Sequence, residues 1–190
     1  MLNPLLLLFT VVSADTAPVM LAGAPAGRSA SVARRPMTPL ASAMSRPKAY
    51  SADSMVLDKS ARRLTMFHHG REVRSYEVAL GKNPVGAKTR RGDGRTPEGL
   101  YFIEGRNPES KYYLSLRISY PAAKDRRSAA RRGVSPGGDI MIHGLPRAFS
   151  TVGALHRQQD WTEGCVAVTN AEIEEIWRAV PNGAHILIIP

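Results

Sequence analysis

From Ser54 onward the apolar residues come in short runs with turn residues between them, and this spacing constrains the fold more than any other feature. Met55-Val56-Leu57 and Leu64 to Phe67 flank Lys59-Ser60-Ala61, and His69-Gly70 separates the second run from Val73 to Leu80. Runs of this length, bounded by turn-forming residues, predict strands joined as hairpins. Gly81 to Pro97 is a long basic loop, after which Leu100 to Ile103 and Tyr112 to Ile118 resume strand character. Asp139 to His143 predicts a buried strand ending in a Gly-Leu-Pro turn, Cys165 to Val168 a second short strand, and Ile186 to Ile189 a closing one.

Two segments read as helices. Ala122 to Arg132 is charged and alanine-rich and stops at Gly133. Thr169 and Glu172 have the spacing of a capping box, and Ile173, Ile176, Trp177 and Val180 follow on one helical face. The expected class is α+β, mainly β, with one or two peripheral helices.

Upstream of this the pattern changes. Leu5 to Val12 is apolar and leads into Ser13-Ala14, a small-residue cleavage pattern, so residues 1–14 are expected to be a secretory leader. That run is too short to span a membrane. Residues 15–52 are rich in Ala, Pro, Ser and Arg without periodicity and read as a flexible linker, leaving 53–190 as the folded domain. The formal charge is +10, of which the first fifty residues carry +4 and the rest +6; two clusters stand out in the latter: Lys82, Lys88, Arg90, Arg91 and Arg95, and Lys124, Arg126, Arg127, Arg131 and Arg132. Such a field suits anionic partners or simply a solvated face. Aromatics make up 6% of the chain and do not interleave with the arginines, which argues against nucleic acid.

The chain holds a single cysteine, preceded by glycine, in Thr162-Glu163-Gly164-Cys165. A glycine at that point lets the backbone turn sharply, and the N–H groups of Gly164 and Cys165 are candidates for an oxyanion hole. A thiol attacks as thiolate and needs a basic neighbour; His143, at a strand end beside Gly144, is the candidate. Spacing alone leaves three readings open: a Cys–His pair, a buried structural cysteine, and a metal site of His143, His156 and Cys165, whose spacing matches no common zinc pattern. Arg147, His156 and Trp161 lie between base and nucleophile. Arg147, Trp161 and Thr162 are candidate substrate-binding residues, Arg147 through a carboxylate; the alternatives are solvation for Arg147 and core packing for Trp161. His68 and His69 read as an exposed turn without a role, and His185 as structural.

Three motifs in this order resemble the L,D-transpeptidase catalytic domain (YkuD) family: Thr96-Pro97-Glu98-Gly99-Leu100-Tyr101, Ile142-His143-Gly144 and Thr162-Glu163-Gly164-Cys165-Val166. Glu163 stands where that family usually has His or Arg, and Ala167 where Arg or Asn is common, which places the chain near the YafK-like branch. The resemblance implies a β-sandwich and an exported, periplasmic or wall-facing enzyme without metal or organic cofactor. It implies acyl transfer from peptidoglycan stem peptides through a thioester on Cys165, with His143 as base and the Gly144 carbonyl holding its tautomer. Water as acceptor would make the outcome L,D-carboxypeptidase activity. Carbapenem-type inhibitors are implied ligands. A hydrolase of wall or lipoprotein links on the same fold, and a non-catalytic wall-binding module, are the alternatives. A Cys–His pair of this kind is expected to keep the thiol reactive well below the free value of ~8.5. Glu163 would oppose thiolate formation if it pointed inward.

Overall fold

The computed structural model describes residues 50–190. The expected leader, and the expected linker up to residue 49, lie outside the described residues. Ala52 is buried, and its N–H donates to the Ala179 carbonyl at 2.9 Å.

The first three strands, β1 (Ser54–Asp58), β2 (Arg63–His68) and β3 (Arg71–Glu77), form an antiparallel meander. His69 and Gly70 both have positive φ, 50° and 75°, the backbone that a two-residue hairpin with right-handed strand twist requires. The remaining strands are β4 (Gly99–Ser110), β5 (Tyr113–Ile118), β6 (Met141–His143), β7 (Val166–Ala167) and β8 (His185–Ile189). Helix α1 (Ala123–Ala130) follows β5 and ends earlier than expected, with Gly133 at φ 64° in the turn after it, and α2 (Asn170–Ala179) follows β7. Between β6 and β7 runs a 3₁₀ segment, Arg147–Gln158, kinked at Gly153.

All eight strands belong to one sheet in the order β3-β2-β1-β8-β4-β5-β6-β7. Its two ends meet: Ala79, just past β3, exchanges backbone hydrogen bonds of 3.0 and 2.8 Å with Ala167 of β7. The class is thus α+β and mainly β, and the opposed layers expected of a sandwich are two halves of one curled sheet.

Alternation along each strand fills its interior. Met55 and Leu57 of β1, Leu64 and Met66 of β2, Ile142 of β6, Val166 of β7 and Ile186 and Ile188 of β8 point inward and share one core. Helix α2 adds Ile173 and Ile176, each contributing roughly 1.5–3 kcal/mol by burial. Its capping box forms as the sequence predicts: Glu172 N–H donates to Thr169 Oγ1 at 3.3 Å, and the Glu172 carboxylate accepts from the Thr169 N–H at 2.9 Å. The same carboxylate binds Arg157, tying the 3₁₀ segment to α2.

Candidate active site

Strands β6 and β7 run parallel, with Ile142 opposite Val166 and His143 opposite Ala167. Ile142 and Val166 face the core, so His143 and Ala167 face the other way. Cys165 lies just before β7, two residues from Ala167. Among the described residues no hydrogen bond joins the two side chains. The Cys165 thiol, half-buried, donates to the Asp139 carbonyl at 3.4 Å. The His143 ring, only 2% exposed, lies under Tyr112 (centroids 4.4 Å apart) and edge-on to Trp161 (5.7 Å). Its Nδ1 is 2.7 Å from the Gly144 carbonyl. A carbonyl can only accept, so Nδ1 carries the proton and the neutral ring keeps its lone pair at Nε2.

Glycine is required at two of these positions. A Cβ on Gly144 would stand 2.5 Å from Asn170 Oδ1, the atom that accepts the Leu145 N–H at 2.7 Å. Gly164 has φ +125°, and a Cβ there would stand 2.4 Å from the Arg95 carbonyl oxygen. The turn before Cys165 is clamped by Thr162, whose buried hydroxyl accepts from the Gly164 N–H at 3.1 Å and donates to the Cys165 carbonyl at 2.8 Å. Thr162 thus spends its hydroxyl inside the turn, and the Gly164 N–H is engaged there as well. Glu163 points outward and pairs with Lys82 at 2.5 Å, so its carboxylate is directed to solvent rather than at the thiol.

Burial pushes the Cys165 thiol up; a hydrogen bond from the Met141 backbone and the charge of Lys88 pull it down, and Asp139 opposes them. Burial takes His143 down to about 4, against the raising effect of the Gly144 carbonyl. These directions differ from the low-pH reactivity expected of the pair. Both groups are taken out of water, which disfavours both charged forms, so the resting state is thiol and neutral imidazole.

The YkuD model, describing the L,D-transpeptidase catalytic domain, matches residues 52–188. The chain belongs to this family. YafK of Escherichia coli (strain K12) is 32% identical over 108 residues, 56% of this chain and 36% of that protein. This L,D-transpeptidase domain thus matches about a third of the length of that curated relative. The structure of Bd1075 from Bdellovibrio bacteriovorus is similar at 26% identity and a TM-score of 0.53, covering 76% of this chain and 50% of that one. The helical cell shape determining protein Pgp2 from Campylobacter jejuni shares the fold at 23% identity and a TM-score of 0.53, covering 75% and 51%.

Two concavities flank the transpeptidase-family turn. An apolar cleft of about 410 Å³ is lined by Tyr112, Leu145, Pro146, Phe149, Val152, His156 and Trp161. A wider one of about 550 Å³ includes Lys82, Arg90 and Arg95. Trp161 therefore belongs to the cleft wall, with its indole N–H 3.5 Å from His156 Nδ1. Arg147 is exposed and lies outside both linings. The basic loop is not a uniformly solvated face. Lys88 and Asp93 form a buried ion pair at 2.8 Å, and Asp93 also accepts from the backbone N–H groups of Thr89, Arg90 and Arg95. Despite burial, these partners hold the Asp93 carboxyl at about 2.

Sequence reasoning missed Tyr112, which covers His143 from the β4–β5 turn, and Asp160. The Asp160 carboxylate accepts the Leu80 N–H at 2.9 Å and pairs with Arg62 at 2.7 Å. Asp160 carries no local signal beyond its place just before Thr162, and Tyr112 stands apart from all three motifs in sequence. Among the described residues, the His, Cys, Asp and Glu side chains close enough to share a metal ion are Asp53, His68 and His69; His143, His156 and Cys165 do not form such a group. His185 is exposed at the start of β8, not packed as expected. No helix among the described residues is long and apolar enough to cross a membrane.

Proposed function

We propose that this domain is an exported peptidoglycan L,D-transpeptidase in which Cys165 is acylated by a stem peptide and His143 moves the protons. The observation that carries the proposal is the pairing of Gly144 with His143. The carbonyl occupies Nδ1 and leaves the Nε2 lone pair as the proton acceptor, on β6, the strand paired with β7, which Cys165 immediately precedes.

The sulfur attacks the amide carbonyl of the third stem residue while the thiol proton passes to His143 Nε2. The oxyanion that forms takes the Cys165 N–H, since the Gly164 N–H is committed to Thr162. The C–N bond then breaks, His143 returns the proton to the departing D-amino acid amine, and a thioester remains. An acceptor amine from a second stem gives up its proton to His143 and displaces the sulfur, which leaves as thiolate and is reprotonated. Water in place of the amine yields an L,D-carboxypeptidase product. Thr162 serves as a positioning residue for this turn. Trp161 lines the cleft beside the base, and Lys82, Arg90 and Arg95 supply charge for stem carboxylates. Arg147, outside both concavities, would meet only the outer part of a long substrate.

The test is incubation of the protein with disaccharide tetrapeptides, products read by mass spectrometry. Crosslinked or tripeptide products are expected from the wild type and none from Cys165→Ala at unchanged circular dichroism. Intact mass after carbapenem treatment should show one adduct that requires Cys165. Equal turnover by Cys165→Ala would overturn the assignment.

A further inference from the structure

Asp53, at the entry to β1, and His68 and His69, at the tip of the β2–β3 hairpin, bring three ligand atoms within 4.8 Å of one another. Each imidazole Nδ1 lies 3.6 Å from the same carboxylate oxygen, Asp53 Oδ2. That distance is too long for a hydrogen bond. It is close to the separation of two ligands on one tetrahedral zinc ion, about 3.4 Å for bonds of about 2.0–2.1 Å. His68 Nδ1 is buried and has no hydrogen-bond partner, although its ring is partly exposed. An orphaned buried nitrogen of this kind calls for an explanation.

The arrangement is held in place by the backbone. His69 adopts φ 50°, uncommon for a residue with a Cβ, and this turns its ring toward His68, with centroids 4.1 Å apart. The His69 N–H donates to Asp53 Oδ2 at 2.7 Å and the Ser54 hydroxyl to Oδ1 at 2.8 Å, which orient the carboxylate and keep it ionised. Two imidazoles and one carboxylate suit a borderline divalent ion, and with three protein ligands a fourth position stays open to water.

We propose that Asp53, His68 and His69 form a binding site for a zinc-class divalent ion, separate from the Cys165 turn, that fastens the start of β1 to the β2–β3 hairpin. The ion sits among the two Nδ1 atoms and Asp53 Oδ2, and closing the ligand atoms onto it takes a movement of the exposed His69 and Asp53 side chains.

Zinc chloride titrated into the full chain, followed by calorimetry, tests this. One ion per chain is expected, with a higher melting temperature when zinc is present. His68→Ala and Asp53→Asn should each weaken binding by at least about tenfold, while Cys165→Ala should bind as the wild type does. Asparagine keeps an oxygen for the His69 N–H, so the turn survives that change. Ring ¹⁵N shifts of His68 and His69 on adding zinc to the unmodified protein provide a readout that needs no variant. Absence of uptake, undiminished affinity in both variants, unmoved ring signals, or binding lost with Cys165→Ala would each overturn the proposal.

Discussion

His143 makes a quantitative prediction about acid stability. The unfolded chain protonates this imidazole below pH 6.5, whereas the folded chain, with the ring buried, resists protonation until about pH 4. The native state therefore binds fewer protons than the unfolded state in this window, so stability falls as pH drops from 6.5 through 4 and stays low below. The difference between 6.5 and about 4, at 1.36 kcal/mol per pKa unit, is about 3 kcal/mol. For a domain of this size that is on the order of 10 °C in melting temperature. The assay is thermal unfolding from pH 7.5 to 3.5 for wild type and His143→Gln, whose side chain does not titrate. The wild-type curve should fall away from the variant's between pH 6.5 and 4 by about that amount, and ring NMR of His143 should show titration near 4. Parallel curves, or a ring that titrates at 6.5 or above, would refute both the burial argument and the neutral resting pair. In the same frame, iodoacetamide should alkylate Cys165 slowly at pH 6, its rate rising only as the thiol itself ionises.

Three further outcomes follow from the site. Thr162→Val removes the hydroxyl that serves the Gly164 N–H and Cys165 carbonyl, and should cost about 2–4 kcal/mol in denaturant unfolding along with most turnover; Thr162→Ser should retain both. Lys88→Met leaves Asp93 buried and charged without its ion-pair partner, so a loss of about 3–5 kcal/mol is expected, and Lys88→Met with Asp93→Asn should recover part of it. Glu163→Gln should leave stability and the pH dependence of alkylation nearly unchanged, because the exposed carboxylate faces Lys82 and not the thiol.

The segments readable from the sequence are those whose signal is local. The hairpin at His69-Gly70, the inward alternation of Met55 and Leu57, and the capping box with the Ile173-Ile176 face of α2 depend on neighbours within a few residues, so period and turn chemistry suffice to find them. The motifs around His143 and Cys165 were legible for the same reason: Gly144 and Gly164 stand where a Cβ would collide, and that demand is met in place. Tertiary structure alone decided the rest. First and last strands pair in parallel, β1 against β8, and the far end of β4, polar throughout, is a strand only because β5 lies beside it. Phe149, Val152 and Leu155 recur at the three-residue spacing of a 3₁₀ helix, but that this segment walls the apolar cleft is decided by what packs against it. Lys59 reads as a solvated turn residue, yet it is buried with Glu98 at 2.7 Å. Which cation is buried, which carboxylate turns outward and which two histidines meet an aspartate are set by partners tens of residues away, and no local pattern of charge encodes them.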